Sequence, residues 1–350
     1  MYPNKSMIYQ EYTPYLATPG KHLVVKDRPF DPKPPTNGAT VKNLYISLDP
    51  YYRGQMRLPT DLGTYSAPWI LGEPAMMTGM AEVIESDNQA LKPGDLVSGP
   101  TRCAEYAVVP AELIPQVQVL PPLPPGVDIA PETLVHILGI PGWGAYVSFY
   151  EYVAEPFEGK TIFISAASGA VGQIVGQIAK LHGMRVLGST GSADKVEFVT
   201  GTLGYDAAWD YHSEKTADAL ARLAPDGLDV YYDNVGGEQL EAAVNAMKDF
   251  GLIISSGACS QYNLPWEECY GVRSLMVLFL RRLTIRGFIC SDPVFAKYKD
   301  KFVTDMVTWV AQGKIKTKSE VTVGIDGAAE ALIRMWKGDK LGKAVLQVWA

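Results

Sequence analysis

Between Thr161 and Gly191 the spacing of apolar residues changes three times. A short apolar run, Thr161–Ser165, comes first. Val171, Ile174, Val175, Ile178, Ala179 and Leu181 then recur at intervals of three and four, which places them on one face of a helix. Gly183 stops that pattern, and a second apolar run begins at Arg185–Leu187. The sum is one strand–turn–helix–strand unit of about thirty residues. From residue 1 to about 125 the pattern differs. Short β-like runs (His22–Lys26, Val41–Leu48, Met80–Ile84, Asp95–Ser98, Glu105–Val109) alternate with Pro/Gly turns such as Lys92-Pro93-Gly94-Asp95. Pro121-Pro122-Leu123-Pro124-Pro125-Gly126 is a stiff connector. Beyond it, apolar runs at Leu228–Asp233, Gly251–Ser256 and Leu283–Phe288 suit later strands of a parallel sheet. Helices are predicted over Lys299–Gln312 and Gly327–Lys337, and a returning strand over Ala344–Trp349. The predicted class is α/β with a separate β-rich domain.

The turn in the first unit carries chemistry. Ala167-x-Gly169-x-x-Gly172 is a GxGxxG variant with alanine first. A small first residue permits the tight turn, Gly169 lets backbone approach a pyrophosphate, and Gly172 lets helix and strand pack closely. The helix N-terminus adds N–H groups and positive dipole. A lone motif of this kind is weak, but here strand, helix and second strand flank it. An NAD site places Asp or Glu at the end of the second strand to hold the ribose hydroxyl. This chain has Gly188-Ser189-Thr190-Gly191-Ser192, with Asp194 and Lys195 after it. Small hydroxyl residues followed by a cation suit a 2′-phosphate, so NADPH is expected over NADH. Asp194 is read as a helix cap or a solvated charge.

Length and composition agree. A chain of 350 residues supports two domains, each with its own core. The net charge of −7 argues against a nucleic-acid or anionic-membrane surface. No apolar run reaches membrane length and no signal-like segment opens the chain, so a cytoplasmic location is expected. The four cysteines (Cys103, Cys259, Cys269, Cys290) form no CxxC, and the four histidines (His22, His136, His182, His212) fall in no metal-ligand spacing. Free thiols and no metal are expected.

Seven ordered motifs carry a resemblance that covers nearly the whole chain. They are Leu48-Asp49-Pro50-Tyr51-Tyr52-Arg53-Gly54-Gln55-Met56, Gly139-Ile140-Pro141-Gly142-Trp143-Gly144-Ala145-Tyr146, Ser165 to Gly172, and Gly191-Ser192-x-x-Lys195. Further along come Asp233-Asn234-Val235-Gly236-Gly237, Ser260-Gln261-Tyr262-Asn263, and Gly338-Asp339-x-Leu341-Gly342-Lys343. The chain resembles the zinc-independent medium-chain dehydrogenases/reductases. More narrowly, it is similar to the NADPH-dependent alkenal/one double-bond reductases and the prostaglandin reductases. The resemblance implies a GroES-like domain over 1–127, completed by 303–350, and a Rossmann domain over 128–302, with the active site in the cleft between and a homodimeric assembly.

The resemblance also implies roles. Ala166, Ala167, Ser168, Gly169, Ala170, Val171 and Gly172 would hold the pyrophosphate. Gly191, Lys195 and Tyr211 would sit at the 2′-phosphate. Asn234 would contact the cofactor, and Ser256, Phe288 and Cys290 would border its nicotinamide half. Pro50 and Gly342 would touch it from the other domain. Pro50 and Tyr51 would line the substrate mouth, which Tyr65 in Gly63-Thr64-Tyr65-Ser66 would also reach through its loop. Tyr262 would lie over the nicotinamide ribose. The implied reaction is hydride transfer to the β-carbon of an α,β-unsaturated aldehyde or ketone. Tyr262 is the first candidate to face the carbonyl oxygen and Tyr51 the second. The alternatives are quinone reduction or allylic-alcohol oxidation on the same fold, and a non-catalytic NADPH-binding protein.

Tyrosine is abundant, with 19 copies, so a given tyrosine is more often packing than chemistry. Tyr52, Tyr231 and Tyr232 carry no role readable from sequence, and Trp143 and Trp266 read as packing. The chain departs from the family at three places. Gly72-Glu73-Pro74 lacks the histidine of zinc-containing relatives, Gly144 stands where threonine is usual, and Lys340 where asparagine is usual.

Overall fold

A computed structural model describes residues 2–58, 65–123 and 125–350. Gly63 and Thr64, which precede Tyr65, and Pro124 of the connector lie outside the described residues. The chain divides into two compact units, one of residues 1–139 with 319–350 and the other of 140–318.

The first unit is built mainly on antiparallel pairing, with one parallel pair at its edge. Its strands are β1 (Lys5–Tyr9), β2 (Leu23–Asp27), β3 (Ala39–Ser47), β4 (Met76–Ser86), β5 (Leu96–Arg102), β6 (Tyr106–Val109), β7 (Gln118–Val119), β14 (Ser319–Val323) and β15 (Lys343–Gln347). The larger sheet runs β14-β15-β3-β4-β5-β7, with β6 also on β3, and β1 pairs β2 separately. The returning strand β15 joins antiparallel to β3, Val345 opposite Ser47. Helices α1 (Tyr52–Gln55), α2 (Pro131–Ile137) and α10 (Ala328–Lys337) complete the unit. One core gathers Met7, Leu23, Ile46, Tyr52, Trp69, Leu332 and Leu346. A second, between the faces of β3, β4, β5 and β6, gathers Val41, Val83, Val97 and Ala107.

The second unit is a parallel sheet of β8 (Thr161–Ile164), β9 (Arg185–Thr190), β10 (Ala207–Asp210), β11 (Leu228–Asp233), β12 (Met247–Ser255) and β13 (Thr284–Gly287). Its order is β10-β9-β8-β11-β12-β13. Numbered from β8, that is 3-2-1-4-5-6, the doubly wound dinucleotide-binding order. The helices are α3 (Ile140–Tyr152), α4 (Ala170–Leu181), α5 (Ala193–Glu197), α6 (Thr216–Leu223), α7 (Gly237–Ala246), α8 (Met276–Leu280) and α9 (Lys299–Ala311). The chain leaves β8 in one direction for β9 and β10, then returns to lay β11 on the other side. The crevice at the C-terminal ends of β8 and β11 is therefore the topological switch point, where such sheets bind ligands. Among the described residues no helix is long and apolar enough to cross a membrane.

One buried ion pair fixes the loop after β3. Lys343 Nζ donates to Asp49 Oδ1 at 2.8 Å and to Leu48 O at 2.6 Å. Asp49 Oδ2 accepts Ser47 Oγ at 2.6 Å. Burial lowers the Lys343 pKa more than the attraction of Asp49 raises it. The pair therefore positions the loop rather than adding net stability. Lys343→Met alone strands the Asp49 carboxylate and should lower unfolding free energy by about 3–5 kcal/mol, while Asp49→Leu/Lys343→Met should recover most of it. Urea titrations of both variants check this; a single variant within 1 kcal/mol of the parent would refute it.

Candidate functional site

The Gly-rich turn joins β8 to α4 through contacts that only small residues allow. Ala166 sits at φ +50°, a left-handed conformation uncommon for alanine. Ala166 O accepts Gly169 N–H at 2.8 Å, and Ala167 N–H donates to Ser189 O at 2.9 Å, tying the turn to β9. The first bond of α4 runs from Gln173 N–H to Gly169 O, so Ala170, Val171 and Gly172 form the first turn, at the positive end of the helix dipole. A Cβ on Gly172 would come within 2.6 Å of Ala166 O and 2.8 Å of Ala167 Cα. Tyr205 locks the helix from behind: its hydroxyl donates to Gly172 O at 2.7 Å, and a Cβ on Gly176 would overlap its ring. Bare backbone, a helix N-terminus and no projecting carboxylate together fit a pyrophosphate.

Beneath the turn lies a buried polar knot spanning the switch point. Asp233, at the end of β11, accepts from Val235 N–H (3.0 Å), Gly236 N–H (2.8 Å) and the Tyr231 hydroxyl (2.7 Å). Burial pushes its carboxyl above the ordinary range, and these donors oppose that rise. Ser165 Oγ accepts Asn234 N–H at 2.9 Å, and Asn234 Nδ2 donates to Ser165 O at 2.8 Å. Asn234 is thereby held at both ends to the strand that carries the turn.

The residues expected at the 2′-phosphate meet at the ends of β9 and β10. These strands are parallel neighbours, Thr190 opposite Asp210. A Cβ on Gly191 would meet the Tyr211 hydroxyl at 2.8 Å, and Tyr211 stacks beside His212 with ring centroids 4.3 Å apart. His212 Nδ1 lies 3.1 Å from Gly191 O. Lys195 stands on α5. The residue at the N-cap position of α5 is Ser192, so Asp194 is not the cap but lies in the first turn, where a carboxylate suits the dipole.

Toward the other end of the crevice, Ser256 N–H and Gly257 N–H both donate to Asp233 O, at 2.8 and 3.0 Å. The Tyr262 hydroxyl accepts Ala258 N–H at 3.1 Å and lies against Gly257, where a Cβ would meet it at 3.1 Å. Tyr262 is thus fixed to the same loop as Ser256. Cys290 O accepts the Trp143 indole N–H at 2.8 Å, and a Cβ on Gly144 would press on Cys290 Sγ at 3.0 Å. The Phe288 ring packs on Tyr152 and Phe295.

In the first unit, Pro50 and Tyr51 follow the loop anchored by Lys343. Pro50 O accepts the Trp336 indole N–H at 3.1 Å. Tyr51 lies on Tyr52, centroids 4.3 Å apart, and 6.3 Å from Tyr65, which is mostly exposed. Tyr52 is fully buried, its hydroxyl accepting Thr78 N–H at 2.8 Å. Gly342, at φ +93°, accepts Lys340 Nζ at 2.6 Å, so the departing lysine folds back onto its own motif.

Sequence reasoning missed Ser165, Asp233 and Tyr231 as the supports of Asn234, and His212 beside Tyr211. A signal existed for the first two: each is the polar residue that closes an apolar run. Tyr231 and His212 had none, because partners on neighbouring strands are needed to give them meaning.

Comparison with known proteins gives concordant matches. Residues 170–310 match the family model of zinc-binding dehydrogenases, and residues 23–117 that of the N-terminal domain of oxidoreductases. The chain is 43% identical to the NADP-dependent oxidoreductase RED1 of Cochliobolus heterostrophus over 99% of this chain and 98% of that protein. It is 38% identical to a 2-alkenal reductase (NADP(+)-dependent) of Nicotiana tabacum over 89% of this chain and 88% of that one. The crystal structure of CurA in complex with NADPH from Vibrio vulnificus superposes with a TM-score of 0.86 at 30% identity, covering 99% of both chains.

The close approach at Gly172 is open to test. Gly172→Ala must move backbone, and overpacking of this kind costs roughly 1–3 kcal/mol. A lowered thermal midpoint and weakened nucleotide binding are expected. Gly201→Ala, where a Cβ would meet nothing within 4 Å, should be near neutral. Equal midpoints for the two variants would contradict the packing argument.

Proposed function

The chain belongs to the medium-chain dehydrogenase/reductase family, and on that premise we propose that it is an NADPH-dependent reductase of the carbon–carbon double bond in α,β-unsaturated aldehydes and ketones. One observation carries the reading. The loop that ends β12 brings Ser256 and a backbone-anchored Tyr262 to the C-terminal side of the same sheet whose Gly-rich turn and β9 end suit a phosphorylated dinucleotide. The NADP-dependent oxidoreductase and 2-alkenal reductase similar to it along nearly their whole lengths support the reaction class.

The bound cofactor would supply a hydride to the substrate β-carbon. The chain supplies the rest. Ala166 to Gly172 hold the pyrophosphate, Gly191, Lys195 and Tyr211 take the 2′-phosphate, and Asn234, Ser256 and the 288–290 backbone border the nicotinamide half. An N–H donated to the Tyr262 phenol oxygen fixes the ring and makes the phenol a better donor. Tyr262 then faces its O–H to the substrate carbonyl oxygen and stabilises the developing enolate.

The enzyme works without zinc in this reading. Glu73, in the segment where zinc-containing relatives carry histidine, pairs with Arg28 at 3.0 Å. Among the described residues no three His, Cys, Asp or Glu side chains gather to hold a metal. Burial pushes the Cys103 thiol up to about 12, which disfavours the thiolate a metal needs. None of the four cysteines is in a disulfide, in keeping with a cytoplasmic enzyme. We assign a homodimer through the edge of the second unit. All four residues of the edge strand β13 are exposed, as are Leu275, Met276, Phe279 and Leu280 around α8. An open strand edge beside a group of exposed apolar side chains suits a second copy.

A panel of enals, enones and quinones, followed by NADPH and NADH oxidation with and without strong chelator, tests the function. Enals and enones should turn over with NADPH, unaffected by the chelator; faster quinone turnover or metal-dependent activity would overturn the reading. Lys195→Ala should weaken NADPH binding roughly ten- to a hundredfold and leave NADH nearly unchanged, since a charge-assisted phosphate contact is worth roughly 1.5–3 kcal/mol. Equal losses for both cofactors would remove Lys195 from the phosphate site. Tyr262→Phe keeps the ring and should lower kcat roughly ten- to a hundredfold with little change in NADPH affinity. Unaltered turnover on a good enal would take Tyr262 out of the mechanism.

A further inference from the structure

Two buried glutamines one turn apart on α4, Gln173 and Gln177, grip a segment that has no secondary structure of its own. Residues 316–318 belong to neither helix nor strand and are the last of the second unit before the chain returns as β14. Gln177 Oε1 accepts Lys316 N–H at 2.8 Å, and its Nε2 donates to Lys316 O at 2.7 Å. Gln173 repeats this on Lys318, accepting its N–H at 2.8 Å and donating to its carbonyl at 3.2 Å. Residues i and i+4 of a helix lie about 6 Å apart along its axis, and residues i and i+2 of an extended chain about 6.6 Å. The helix face therefore pairs the segment as a neighbouring strand would. The second N–H of each amide goes elsewhere. Gln177 gives it to Gln173 O at 2.8 Å, within the helix. Gln173 gives it to Ser168 O at 3.1 Å, in the Gly-rich turn. Of the two glutamines, Gln173 is the one that bonds both the turn and the segment.

We propose that Gln173 is a positioning residue for the pyrophosphate turn and couples that turn to residues 316–318, so that dinucleotide binding tightens the clasp and loosening the clasp weakens binding. The inference rests on the NADPH reading above. Gln173 holds the carbonyl end of the Ser168–Gly169 peptide, whose N–H is already given to Ala166 O. A pyrophosphate seated on the turn holds the same backbone. Ordering the turn for the ligand therefore also orders the amide that grips the segment, and the entropy of fixing them is lost once rather than twice. Coupling of this kind is reciprocal.

The test is amide hydrogen exchange with and without NADP⁺, beside NADP⁺ binding. The Lys316 and Lys318 N–H groups are the probes, since each is donated to one of the glutamines, and the amides of β11 report global opening. In the parent, NADP⁺ should slow the two probes roughly five- to tenfold more than it slows β11. Gln173→Met keeps the length of the side chain and removes its donors. Lys318 should then exchange fast, Lys316 should lose its response to NADP⁺, and NADP⁺ affinity should fall by a similar factor. Gln177→Met should speed exchange at Lys316 but leave the Lys318 response and NADP⁺ affinity near those of the parent. The parent measurement decides alone if either variant folds poorly. Equal slowing of the probes and β11 refutes the coupling. So does parental affinity in Gln173→Met, or a Gln177→Met that weakens NADP⁺ as much as Gln173→Met does. A parent that binds no NADP⁺ would overturn the cofactor reading itself and this proposal with it. A parent that binds NADP⁺ without protecting the probes overturns only the coupling.

Discussion

Helix α4 can rest on the turn that launches it only because residue 172 has no side chain. Everything on the ligand side of the second unit follows from that contact. With Gly172 against Ala166 O and Ala167, the helix axis points its N-terminal end at the crevice rather than past it. The same closeness forces a small residue at 188, where a Cβ would meet Ala167 Cβ at 2.7 Å, and gives Tyr205 a slot beside Gly176. A buried phenol in that slot must find an acceptor, and Gly172 O is the one within reach. Packing and hydrogen bonding thus fix the turn from both sides, which is why alanine is tolerated at positive φ in position 166.

Each unit fixes one loop with a buried carboxylate, and the two solve the desolvation problem differently. Asp49 has a cation, Lys343, and so carries the cost of burying two charges. Asp233 relies on two backbone N–H groups and a phenol. A carboxylate on backbone donors fixes main chain, which is what the segment Asp233–Gly236 needs if Asn234 is to present its side chain. A carboxylate on a lysine fixes a side chain from a distant segment, which is what brings the C-terminal strand to the loop carrying Pro50 and Tyr51.

The inner strands of the parallel sheet were legible because they are buried on both faces and read as unbroken apolar runs. Leu228–Asp233 was read with the observed bounds, and the helices from Ala170, Lys299 and Ala328 with bounds within about two residues, as fraying allows. Strand β10 was not marked, since Ala207–Asp210 offers four residues with only Trp209 fully buried. β14 escaped for a similar reason, its residues being half-buried or exposed. The candidate site was legible where chemistry depends on local spacing, as in Ala167 to Gly172. It was illegible where it depends on contacts across strands. Nothing local says that Gly191 must be small to admit the Tyr211 hydroxyl, or that Ser165 and Asn234 grip each other across 69 positions.

The adjacent tyrosines of β11 show the same limit and its physical origin. Successive strand residues point to opposite faces, so Tyr231 and Tyr232 cannot share an environment. Tyr231 stacks on Phe163 at 4.7 Å and bonds Asp233 and Ser165. Tyr232 turns to the face covered by α3 and meets Ser148. One strand thereby stiffens the base of the switch point from one layer and braces α3 from the other. A phenol suits both places because each offers an apolar wall with one polar partner at its far edge, and phenylalanine would fill the wall but leave that partner unmatched.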